Sequence, residues 1–136
     1  EPIRFPDGWA TSGSWHRAQA AEATVGQNGP AEYSVILGYP DRNTIGARHR
    51  VIFAILDGQL VVDCSCDGYH HRSWCAHVAH LWWKWSRHRL DVVDLNTGRT
   101  WTSVPSWLES MIGTSNNTDR SLGRTSRLME VTSNDV

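Results

Sequence analysis

Residues 59–81 read QLVVDCSCDGYHHRSWCAHVAHL, and the architecture hangs on this stretch. It passes from a β-branched apolar run through Cys64-Ser65-Cys66, over a polar stretch, and into Cys75-Ala76-His77 at the head of an apolar segment with helical spacing. A strand that ends in the first pair, a loop over 67–73 that folds back, and a helix opened by the second pair bring three thiols and one imidazole to a single corner. Three thiolates and an imidazole are a closed tetrahedral set for structural Zn²⁺, with no position left for water or substrate. The helix N-terminus favours the thiolate at Cys75. Such a centre carries a charge of about −1, which Arg72 and the helix end offset.

Two other readings compete: a redox Cys-x-Cys pair with an unrelated third cysteine, and three buried thiols acting as small hydrophobes. All three cysteines fall within residues 64–75, among the polar residues Asp63, Ser65 and Asp67, which favours the metal. His70, His71 and His80 stand open as substitutes for His77. The symmetry of Cys-x-Cys and Cys-x-His favours His77, and His80 reads as a histidine on the helix surface.

Upstream, RVIFAIL precedes the quoted stretch across Asp57-Gly58, a favoured type I′ turn pair, so 49–56 and 59–64 are expected as an antiparallel hairpin. YSVILGY adds a strand over 32–39. Pro40 to Arg50 is a polar connection carrying Arg42, Arg48 and Arg50. Before the strands, WHRAQAAEATV follows Ser12-Gly13-Ser14 and predicts a helix from about Trp15 to Ala23, ended by GQNGP at 26–30.

Downstream, the helical pattern runs from Trp74 to about Leu90. Winding it puts Val78, Ala79, Leu81, Trp82 and Trp85 on one face, and His77, His80, Trp83, Lys84, Arg87 and His88 on the other or at its edge. Val104-Pro105-Ser106-Trp107-Leu108 reads as a short helix start. Residues 113–136, rich in Ser, Thr, Asn and Arg, read as a flexible, solvated tail.

The fold class is therefore α+β: a small antiparallel sheet, a zinc-ligand loop and an α-helix form a β-β-α zinc module at about 49–90, with an N-terminal helix and a C-terminal extension. The whole zinc-binding domain is expected over 1–112.

Composition bounds the function. A chain of 136 residues holds one domain and excludes a multidomain enzyme. A formal net charge of −1 with 40% apolar residues excludes both a disordered acidic chain and a globally basic one, so any nucleic-acid surface is local. Eight Trp against two Phe put large indoles in the core, among them Trp82, Trp85 and Trp15. No run of apolar residues is long enough to span a membrane, and EPIRFPDGW is no secretory signal. Without an initiating Met the sequence reads as having a processed or trimmed start. Three thiols and no secretory signal fit a reducing, intracellular setting, cytoplasmic or nucleoid-associated.

The pattern CSC-DGYHHRSW-CAH, after strands and before an apolar helix, resembles the SWIM zinc finger, C-x-C-x(n)-C-x-H, and the likeness extends over about 15–88. The continuation His77-Val78-Ala79-His80-Leu81 is similar to that family's helix. The resemblance implies a β-β-α module with one structural zinc on Cys64, Cys66, Cys75 and His77, serving DNA binding or protein interaction. Members often carry Lys between the last Cys and His. Here Ala76 takes that place, which removes one basic contact and leaves the metal untouched.

From Gly68 to Leu90 there is no acidic residue, while Arg72, Lys84, Arg87 and Arg89 supply a formal +4. Cations flanking the ring of Trp83 suit nucleic acid, with phosphates on the cations and bases or sugars against the ring. The competing account is a solvated helix face with cations at the helix end. The leading expectation is thus a non-catalytic zinc module that contacts DNA or other nucleic acid as an accessory in replication, recombination or transposition. The alternative is a zinc-stabilised interaction module that docks a protein partner through Trp83 and the C-terminal segment. A metalloenzyme or thiol oxidoreductase ranks last, because the ligand set is closed and no Cys-x-x-Cys or catalytic triad is legible.

Overall fold

Strand alternation and one tight turn set the frame. In the computed structural model, which describes residues 1–39 and 43–110, the chain is α+β. A 3-10 turn (Trp9–Thr11) leads to α1 (Gly13–Ala20), β1 (Glu22–Gln27), β2 (Glu32–Tyr39), β3 (Thr44–Ile45), β4 (His49–Leu56) and β5 (Gln59–Cys64). Next come α2 (Asp67–Arg72), α3 (Ala76–Ser86), β6 (Val92–Val93) and β7 (Thr100–Trp101), and residues 106–110 are helical.

The main sheet is antiparallel in the order β1-β2-β4-β5, with β3 pairing the far end of β2. Asp57 (φ 53°) and Gly58 (φ 74°) both take the left-handed conformation that a type I′ turn demands, and they lock β4 to β5 in the register Leu56↔Gln59 to Val51↔Cys64. The inward rows Tyr33, Val35 and Leu37, then Val51, Phe53 and Ile55, then Leu60, Val62 and Cys64 are all buried. Period-two alternation thus carries Cys64 to the core side at the last position of its strand.

α3 lies on that side and buries Val78, Leu81, Trp82 and Trp85. α1 packs against α3. Phe5 meets the rings of Trp9, Trp74 and Trp82 at 5.0, 5.3 and 5.0 Å between centroids, and Trp15 abuts Trp9 at 4.9 Å. The β6-β7 hairpin closes the end of α3, where the Trp85 indole N–H donates to the Trp101 carbonyl at 2.9 Å. Among the described residues no helix is long and apolar enough to cross a membrane.

The expected strands 32–39, 49–56 and 59–64 coincide with β2, β4 and β5. Four expectations need correction. The first helix ends at Ala20 rather than Ala23: Ser12 Oγ caps it by accepting from the Trp15 N–H (3.1 Å), but Glu22 to Gln27 pair with Gly38 to Tyr33 instead of continuing it. Sheet hydrogen bonding, with β-branched Thr24 and Val25, overrides the Ala-rich helix propensity there. Second, residues 67–72 form a helix, not an open loop. Third, the long helix starts after Cys75, not at Trp74, and stops at Ser86. Fourth, the C-terminal extension includes the β6-β7 hairpin. Arg42 and the tail over 113–136 lie outside the described residues.

Candidate metal centre

Three elements converge on one point. Cys64 ends β5, Cys66 is the N-cap of α2, and Cys75 is the N-cap of α3, whose second residue is His77. Their ligand atoms, three Sγ and one imidazole nitrogen, all lie within 4.8 Å of one another. The cysteines are buried and unpaired as disulfides, and His77 is half-buried.

Each cap is set by the backbone. The Tyr69 N–H donates to Cys66 Sγ at 3.4 Å, and the Val78 N–H donates to Cys75 Sγ at 3.4 Å. An N-cap sulfur in this position accepts from the exposed end of the helix, where partial positive charge stabilises a thiolate. Ser65, between the two cysteines of the first pair, ties the ligand turn to β4. Its N–H donates to the Arg50 carbonyl (3.0 Å) and its Oγ accepts from the Arg50 N–H (3.1 Å). The His49 ring packs on the His77 ring at 4.6 Å, and its Nδ1 lies 3.1 Å from Ser65 Oγ. This supporting layer was not legible in the sequence, because it depends on the β4-β5 register bringing His49 and Arg50 beside Ser65.

The donor set fits a soft divalent cation. Hydrogen bonding from Cys75 holds Cys66 down at about 4 and Cys64 at about 6, against the opposing effect of burial. Burial works to lower the His77 value, but hydrogen bonding and charge from Cys64 and Cys66 outweigh it and raise it. Cys75, which donates to both other sulfurs and is buried, is pushed up. The shifts favour the thiolate at Cys64 and Cys66 and the thiol at Cys75. A divalent ion replaces the Cys75 proton and satisfies all three sulfurs at once. His77 Nδ1 is moreover buried without a hydrogen-bond partner, which is costly unless a ligand meets it.

The other histidines separate cleanly. His70 and His71 are exposed on α2. His80 is not on the surface: it is 3% exposed, and its Nδ1 lies 2.9 Å from the Ala18 carbonyl of α1. The helical phase placed it at the face edge, and α1 covers that edge.

The basic residues divide into two groups. Arg72 is exposed near the Cys/His cluster, its guanidinium close to Gly68, and Arg48 and Arg50 are exposed as well. Arg50 faces Glu32 at 3.9 Å. Trp83, Lys84, Arg87 and Arg89 gather at the opposite end of α3, about 13 Å along the axis from Cys75 at the usual helical rise. There the Arg87 guanidinium lies 5.2 Å from the centre of the Trp83 ring. Lys84 and Trp83 are half-buried, and Arg87 and Arg89 are exposed. The sequence reading joined all five in one patch, and the length of α3 separates Arg72 from the other four. No family model, curated protein or solved structure matches the chain.

Proposed function

We propose that this chain is a non-catalytic zinc module, of the SWIM type by its ligand pattern, that contacts nucleic acid as an accessory in intracellular DNA transactions such as replication, recombination or transposition. The metal would sit on Cys64, Cys66, Cys75 and His77, where Zn²⁺ supplies a closed tetrahedral anchor for the start of α3. A closed anchor orients the helix and offers no coordination site for turnover. The observation that carries the reading is the grouping of Lys84, Arg87 and Arg89 around Trp83 at the C-terminal end of that helix. Cations beside a ring suit a phosphodiester backbone with its bases or sugars.

The test is DNA binding at several salt concentrations, with zinc content measured on the same protein. The wild type is expected to carry about one zinc per chain and to bind with affinity that falls steeply as salt rises. Lys84→Ala with Arg87→Ala should lower the salt slope by about 2, one for each phosphate that the variant no longer neutralises. Failure to bind single-stranded and duplex DNA at low salt overturns the reading.

The exposure of Trp107 (39%) supports a second reading, a protein-docking surface. Its mark is a partner complex whose affinity barely changes with salt and that Trp107→Ala abolishes.

A further inference from the structure

The end of α3 is a recess rather than a ridge. The helix stops in a Schellman turn: the His88 N–H donates to the Trp85 carbonyl (3.0 Å), the Arg89 N–H donates to the Lys84 carbonyl (2.8 Å), and His88 itself takes the left-handed conformation (φ 61°). That turn folds the chain back and sets Arg89 beside Lys84. Across from them, the chain leaves α1 through Ala21 into edge strand β1. Alternation turns Ala23, opposite buried Leu37, toward the α3 side, while Glu22 lines a hollow on the other side of the strand with Ile45 and Gly38. Together Ala21, Ala23, His80, Trp83, Lys84 and Arg89 line an open surface cavity of about 260 Å³.

Its size and chemistry select a ligand. The volume is below the range of drug-sized pockets and suits one phosphate with its sugar or base. The two cations are on the wall, no carboxylate among the described residues lines it, and the Trp83 ring supplies an apolar face. The methyl groups of Ala21 and Ala23 leave the room open. In a duplex the bases are stacked and paired inside, and only the backbone is on offer to a recess of this kind. An unpaired nucleotide can present phosphate and base together.

We infer that this cavity binds an unpaired nucleotide of a single-stranded nucleic acid, its phosphate held by Lys84 and Arg89 and its base or sugar packed on Trp83. The inference rests on the nucleic-acid reading above and narrows it from nucleic acid in general to single strands.

The experiment compares the zinc-loaded wild type with Ala23→Ile, which narrows the cavity at its β1 wall, keeps every charge and suits a strand. The probes are a short oligo-thymidine, the matching oligo-uridine, and a mixed-sequence DNA duplex of the same length, all at one salt concentration. The wild type is expected to prefer at least one single strand over duplex by about tenfold, within what one base-aromatic contact supplies. Ala23→Ile should erase that preference and leave duplex binding unchanged. Whichever single strand binds more tightly names the source. Equal or tighter duplex binding by the wild type, or a preference that survives Ala23→Ile, overturns the cavity assignment while the nucleic-acid reading stands. Binding to none of the three overturns the reading itself. If Ala23→Ile fails to fold, judged by its melt and zinc content, Trp83→Leu takes its place: it keeps apolar volume and charge but removes the ring, and loss of the single-strand preference is again the expected result.

Discussion

The two ends of α3 are held by different physics. The N-terminal end is fixed by polar atoms from three elements, Cys64 of β5, Cys66 before α2 and Cys75 with His77 at the helix start. The C-terminal end is fixed by apolar contact, with Trp85 buried between Phe53 and Trp82 at 6.0 and 5.7 Å between ring centres and tied to Trp101 by its indole N–H. At the first end three sulfurs and an imidazole share a buried corner that a divalent ion would stabilise. The other is held by packing and the Trp85 bond, with the Trp83 and Trp101 indole nitrogens buried there without a hydrogen-bond partner. One helix can therefore be anchored at a metal and still expose a working surface at its far end, since the two tasks draw on different residues.

Removing the ion should have the largest effect. Chelation, or Cys64→Ser, is expected to abolish cooperative thermal unfolding, since metal binding free energy is folding free energy in small zinc domains. A chelated protein that melts like the wild type would erase the contrast, for then the apolar end alone would be holding the fold. Next, Trp85→Ala should cost about 3–5 kcal/mol in denaturant unfolding, the usual range for a buried large aromatic, while zinc content stays near one per chain. Loss of zinc with Trp85→Ala would show that the ends are not separable.

A smaller effect is expected at His88. A non-glycine residue in the left-handed conformation costs about 1 kcal/mol, so His88→Gly should stabilise the protein by about that amount in the same measurement and leave the metal alone. Destabilisation instead would mean that the His88 side chain makes up for its backbone cost.

The smallest effect is a pH dependence. Burial, with the nearby Lys84 charge, pushes the His80 value below its ordinary 6.5, although its bond to the Ala18 carbonyl opposes this. Neutral His80 is therefore favoured in the fold. Its contribution is present in full above about 6.5 and is lost as pH falls from there toward the lowered folded value. His80→Gln should remove this component of the pH slope. Comparing variant with wild type at each pH, with zinc saturating, cancels the acid sensitivity of the metal site, and identical slopes would refute the assignment.

What was legible in the sequence follows the range of the interactions. The β4-β5 hairpin is specified locally by apolar alternation around Asp57-Gly58. The four ligands could be read because their chemistry demands clustering. β1 escaped, because five of its six residues are exposed and only pairing with β2 makes it a strand. α2 escaped because six residues with a glycine carry little helical signal, and what closes it is the Cys66 cap at the metal centre. His80 was misplaced because α1 covers the edge of the face it occupies. The recess at the end of α3 was invisible for a related reason: it needs a left-handed histidine on one side and an unrecognised edge strand on the other.

The register Val51↔Cys64 also bears on how the chain folds. A slip of one residue along β5 would turn Cys64 to the outer face of the sheet, taking one sulfur out of reach of the other ligands. The Asp57-Gly58 turn sets the alignment from one end of the hairpin, and the Cys/His cluster depends on it at the other. A misaligned hairpin could not bring all four side chains together, so an ion bound there would favour the correctly paired chain.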